Sequence, residues 1–167
     1  VTGVQTCALP IFLVGRAVTL QPFFEWAQQA ALGDLVRSSQ LGYSILESFH
    51  LLGICLWLGP VSLINLRHLG IGIVSQTPQA LLADLRRYML GGIALSLATG
   101  VLLFLSEASK LYGDPVFPIK MSLLALALLF HFGLHLRLVQ RGTATKLTAS
   151  LSQLLLFSVA VCGKMLA

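Results

Sequence analysis

The chain has 167 residues and a formal net charge of +5, with 10% charged and 56% hydrophobic side chains, and a mean hydropathy of +0.87. A soluble domain carries about a quarter charged residues, so there is too little polar surface here to solvate a globule and lipid must be the solvent. The basic residues sit between apolar segments, as topology determinants do, and no aromatic platform interleaves them, which argues against a nucleic-acid surface.

The first segment, Val1–Ile11 (VTGVQTCALPI), reads as the in-frame translation of a sequencing adapter and is set aside from the fold. Cys7 leaves the cysteine count with it. Cys55 and Cys162 remain, both within apolar stretches and without metal-type spacing, and are expected to be small core residues. Residues 12–40 form a leader. Within it Pro22 suits a helix start, and Phe23, Phe24, Ala27, Ala31 and Leu35 recur at helical spacing. With Trp26 they predict an interfacial amphipathic helix at the headgroup boundary.

Four apolar stretches follow, at about 41–65, 88–108, 117–138 and 147–166, each near the roughly 20 residues that cross a bilayer. Short connections make the last three antiparallel neighbours. The expected fold is therefore all-α: a four-helix transmembrane bundle over 41–167, preceded by the interfacial helix. The connections after the first and third spans hold Arg67, Arg86, Arg87, Arg137, Arg141 and Lys146 against a single acid, Asp84. The positive-inside rule makes that side cytoplasmic and puts both termini outside, in the periplasm of a bacterium.

Ionisable residues within spans are costly and tend to face a partner or a cavity. On the first span Tyr43, Glu47, His50, Ile54 and Trp57 share a face. On the third, Lys120, Leu124, Ala127, His131 and His135 do, and on the fourth, Ser150, Gln153, Phe157 and Lys164. The second offers Gly92, Ser96 and Gly100 at four-residue steps, a small-residue ridge for close backbone approach; it is assigned packing and no chemistry. At 1.5 Å per residue, His50 lies about 5 Å to the outer side of its span's centre, His131 about 5 Å and His135 about 11 Å to the inner side of theirs. Two layers are expected. The outer is a polar intramembrane cluster of Glu47, His50, Lys120 and Lys164, with Glu107 beside it. The inner holds His131, His135 and Gln153, with His68 just beyond.

In the outer layer Glu47 and Lys120 can neutralise one another beside a proton-accepting His50, which suits a proton relay or an anion site. A cluster that only pins helix register is the alternative. Metal or haem ligands would come from His50, His131 and His135. The i, i+4 pair His131/His135 can face one metal ion, with His68 as a third ligand. A b-type haem between two histidines needs ligand atoms about 4 Å apart, which the roughly 10 Å depth offset of His50 and His131 opposes; a haem on one histidine stays open. No Ser or Cys has an adjacent base for nucleophilic catalysis, and no phosphate-cradling glycine loop is present.

The segment LESFHLLGICLWLGPVSLINLRHLG resembles the signature E-x-x-H-x-x-G, then G, then L-R-x-L-G, of an uncharacterised family of small bacterial inner-membrane proteins. The FFEW…VRSS leader, GGIALSLATGVLLF, the F-x-x-K at Phe117–Lys120 and the terminal Gly163–Lys164 extend the resemblance over nearly all of 21–167. It implies that Glu47, His50, Lys120 and His135 fall at motif positions. His131 replaces an amide and His68 an aliphatic residue of that pattern, which weakens the inner metal site. A shorter likeness, a His-x-x-G…W-x-G first span and a Lys-led third span, runs to copper-resistance D-type proteins and membrane protoporphyrinogen oxidases. It raises the expectation of redox or metal work through His50. A small proton-coupled transporter, or an accessory subunit bound to a membrane partner or a second copy, remains the alternative.

Overall fold

The computed structural model describes residues 20–72 and 75–165, the side chains of 164 and 165 excepted; the adapter-like Val1–Ile11 lies outside the described residues. Two short helices, α1 (Gln21–Gln28) and α2 (Ala31–Arg37), precede α3 (Gln40–Leu69) and α4 (Pro78–Tyr112). Helix α5 (Val116–Leu128) passes through a π-helical stretch, Leu129–His135, into α6 (Leu136–Gln140), and α7 (Lys146–Met165) is the last helix described. Among the described residues there is no strand, and four helical units, with α5 to α6 counted as one, are long and apolar enough to cross a membrane. Only 11% to 28% of their most apolar windows is buried within the protein. Side chains such as Leu41, Leu51, Leu90, Leu129 and Leu154 point outward at roughly half exposure or more, as a lipid solvent requires.

Local chemistry sets the helix ends. The Ser39 hydroxyl accepts from the Gly42 amide at the start of α3. Gly70 at its end takes a left-handed φ of 82°, and the Ile71 amide reaches back to the Leu66 carbonyl. Thr77 caps α4 with Pro78 at its first turn. Helix α4 thus starts ten residues before the apolar stretch at Tyr88, because capping follows Thr-Pro and not hydropathy. The long connection expected after the first span shrinks accordingly.

Helices α3 and α4 form the closest seam of the molecule. A Cβ built on Gly53 would stand 2.7 Å from the Ser96 amide nitrogen, and one on Gly92 would stand 2.7 Å from that of Trp57. The expected small-residue ridge therefore packs against α3. Helix α7 packs on α3 and on α5, while α5 meets α4 through little more than α6. The bundle is a curved row, α4–α3–α7–α5, whose core is Trp57, Val61, Ile64, Leu81, Leu82, Met89, Ala127, Val139 and Leu156. Cys55 corrects the expectation of a core thiol: it lies on the outer face of α3, whereas Cys162 is half-buried, because α3 spends its inward face on Gly53, Trp57 and Val61.

The leader is two helices with one face on the bundle. Phe24 and Ala27 are buried against Ala108, with Phe104 and Phe117 packed around them, while Trp26 and Leu35 face outward. Its docking point is a break in α4, where Glu107 takes φ −129° and ψ 22°. That break frees backbone groups, and the leader satisfies two of them. Arg37 donates to the Ser106 carbonyl at 3.0 Å, and the Gln28 side-chain carbonyl accepts from the Ser109 amide at 3.0 Å. Arg37→Ala should cost about 1–3 kcal/mol of leader docking, because it strands a carbonyl. Limited proteolysis near Ser38 in detergent checks this, and wild-type resistance in the variant would count against the staple.

Candidate functional site

Near the Gln40 end of α3, His50 lies half-buried against α4. Its Nδ1 is 3.0 Å from the Thr99 hydroxyl, and that hydroxyl already donates to the Leu95 carbonyl at 2.7 Å. A hydroxyl that donates to that carbonyl accepts from the ring, which puts the proton of the neutral ring on Nδ1 and leaves Nε2 unprotonated. Gly100 makes room for the ring: a Cβ there would stand 3.0 Å from His50 Cε1. Glu47 and Lys120 both lie close enough to act on His50 electrostatically, and Glu107 neighbours the Tyr43 hydroxyl. Lys120 comes from α5, with its Nζ 3.9 Å from where a Gly163 Cβ would stand and Cys162 beside it.

Two expectations for this layer change. Among the described residues Glu47 and Lys120 form no ion pair; the pairs are Arg37–Asp34 and Lys110–Glu107. The two charges instead share His50 as a neighbour. Helix α4, whose small-residue ridge is assigned packing alone, supplies Thr99 as well as the Glu107 expected beside this layer, because the seam that draws the backbones together also puts these side chains against α3. The Lys164 side chain lies outside those described.

The second layer is more deeply buried. His131, His135, Asn65 and Ser152 are each at most 1% exposed. Asn65 donates to the Ser152 hydroxyl at 3.3 Å and to the Gln153 side-chain carbonyl at 3.1 Å. Gln153 donates to the Ser62 hydroxyl at 3.1 Å, and His131 Nδ1 lies 2.9 Å from the Ser152 hydroxyl. The His131 and His135 ring centres are 5.5 Å apart, and those of His68 and His135 5.9 Å. His131 and His135 are carried by the π-helical stretch, a wide turn frequent at functional sites. On α7 the inward residues are Ala149, Ser152 and Leu156, and Phe157, expected to share the inner face, is 63% exposed. Asn65 and Ser152 were not singled out from sequence: small polar residues are common in membrane helices, and only contact shows that these two join.

The side-chain pairs fix relative depth. Lys120 meets α7 at Gly163 and His131 meets it at Ser152, one antiparallel register. Ser152 also meets Asn65, fifteen residues beyond His50 on α3, or about 22 Å along the axis. Lys120 is close to His50 in depth, and His131 is far from it. His50 and His131 therefore cannot ligate one haem iron, and their separation exceeds the expected 10 Å because helices align by contacts and not by the centres of their apolar stretches. Among the described residues no three His, Cys, Asp or Glu side chains converge as a ready-made metal cage.

Neither the curated proteins nor the solved structures compared with the chain gave a match. A family model does match, over residues 23–167, and it takes in both layers and the leader that packs beside them. The chain belongs to the family of unknown function DUF6644.

Proposed function

We propose that the chain is a small multi-pass protein of the bacterial inner membrane that handles protons at the Glu47–His50–Lys120 layer, coupled to movement of a small anionic solute. The observation that carries this reading is the orientation of His50. Thr99 accepting from Nδ1–H leaves Nε2 unprotonated on a ring that both the Glu47 carboxylate and the Lys120 ammonium group act on. Lys120 is half-buried within an apolar helix, where an uncompensated cation is costly and an anion offsets it. Lys164 belongs to the same proposed cluster through its place on α7.

The experiment is flux in proteoliposomes under an imposed pH gradient, with a panel of small carboxylates and inorganic anions. Proton movement that needs both His50 and an anion supports the reading. Flux unchanged in His50→Ala overturns it. A Soret band in the purified protein would replace it with haem chemistry on His50.

The proposed orientation has both termini in the periplasm, supported by Arg67, Arg86, Arg87, Arg137, Arg141 and Lys146 at one end of the bundle. Reporter fusions should give a periplasmic signal at Ala167 and a cytoplasmic one near Gln79. The reverse pattern would invert the direction of transport.

A further inference from the structure

Four buried side-chain atoms among the described residues have no hydrogen-bond partner: Asn65 Oδ1, His131 Nε2, and both ring nitrogens of His135. All four lie in the second layer. Buried polar groups without partners are rare and each calls for an explanation, an absent ion among them. His135 is the extreme case, fully buried with neither nitrogen engaged. A ring kept there without a partner costs free energy that one apolar substitution would recover, so the arrangement points to a ligand.

The neighbouring rings say what kind. His68 Nδ1 lies 3.1 Å from the Ile64 carbonyl. A carbonyl only accepts, so Nδ1 is the protonated nitrogen and Nε2 presents a lone pair. A backbone carbonyl on the far nitrogen is the usual way a ligating histidine is oriented. The His68 and His135 ring centres are 5.9 Å apart. Metal–nitrogen bonds of about 2 Å on either side of one ion put two ring centres about 6 Å apart when the ligands are nearly opposed. His131, 5.5 Å from His135 between ring centres, stands behind the pair as a third imidazole. It can join once its Nδ1–H is given to Ser152.

Charge and coordination number then select the ion. No carboxylate is among these ligands, so the ion's whole charge is added to an apolar bundle, which disfavours a divalent cation. Zinc takes four protein ligands in structural sites and three with a water in catalytic ones, whereas the geometry offers two, with a third nearby. A d10 monovalent ion accepts two or three imidazoles. We propose that His68 and His135, backed by His131, bind one cuprous ion at the end of the bundle opposite His50. His68, half-buried at the end of α3, is the point of entry.

The test is anaerobic titration of the purified full-length protein in detergent with cuprous ion against a chromogenic cuprous chelator. One bound equivalent is expected, with affinity weakened on the order of tenfold or more in His68→Leu and in His135→Gln. The triple variant Cys7→Ala/Cys55→Ala/Cys162→Ala should keep it. X-ray absorption of the wild-type complex guards against variants that fail to fold, and should show nitrogen neighbours at about 2 Å and no sulfur. Failure of the wild type to take up the ion, sulfur ligation, or binding unchanged in both histidine variants would each overturn the site. The flux assay for the His50 layer is separate, so either result stands without the other.

Discussion

Gly92→Ala should destabilise the protein by about 3 kcal/mol, while Gly91→Ala, one residue away, should be neutral or stabilise it by up to about 1 kcal/mol. The two glycines share a helix and a depth, so propensity does not separate them. Contact does: Gly92 is buried against α3 where Gly91 is exposed. A methyl group on Gly92 would meet the Trp57 amide nitrogen at 2.7 Å and the Gly53 carbonyl oxygen at 2.8 Å, both backbone atoms that cannot rotate away. Around Gly91 there is nothing within 4 Å. Opening the seam also withdraws Thr99 from His50, so flux should fall with stability in Gly92→Ala alone. Thermal unfolding in detergent, followed by circular dichroism, measures the difference. Equal effects of the two substitutions would mean that α3 and α4 are not held at this distance.

Lys120→Met and Glu47→Gln should each abolish most of the proposed proton-linked flux, on the order of tenfold or more, where each factor of ten is about 1.4 kcal/mol. Each should also lower stability by about 2 kcal/mol, since removing one charge leaves the other without compensation in an apolar bundle. The double variant should then be milder than the two single losses summed. Direct pairing is not the reason, because the two side chains make no ion pair. Their coupling runs through the shared neighbour His50 and through the weak screening of an apolar interior. Lys110→Met is the control. Its pair with Glu107 at 3.4 Å is exposed on the lysine side and should contribute little. A double-mutant cycle reads the coupling directly; strict additivity would remove the electrostatic basis of the site.

Both predictions rest on geometry, but the residues in them differ in how far they could be read beforehand. Glu47, His50 and Lys120 stand out because charge inside an apolar run is rare and needs a reason. Gly92, Ser96 and Gly100 stand out by spacing. Thr99, Ser152 and Asn65 do not, because an uncharged polar residue in a membrane helix is unremarkable until a partner is found across a helix interface. The π-helical stretch is equally silent in LFHFGLH, where ordinary α-helical spacing fits as well. Its consequence, two fully buried histidines with unengaged nitrogens, is visible only once the ring surroundings are known.

Composition settles the class of object. Helices and closed barrels are the folds that satisfy every backbone group in lipid, and four apolar stretches of about 20 residues, without the alternation of barrel strands, leave the helical bundle without any knowledge of contacts. Which residues meet depends on how the helices pack. Hydropathy locates a helix along the membrane normal only to within a few residues, and it is blind to rotation and to neighbour order. The row α4–α3–α7–α5, the assignment of the His50 proton by Thr99, and the 22 Å between the two histidine layers all depend on register. Register is set by how close two backbones come at Gly53 and Gly92, and by which polar side chains find partners when they do.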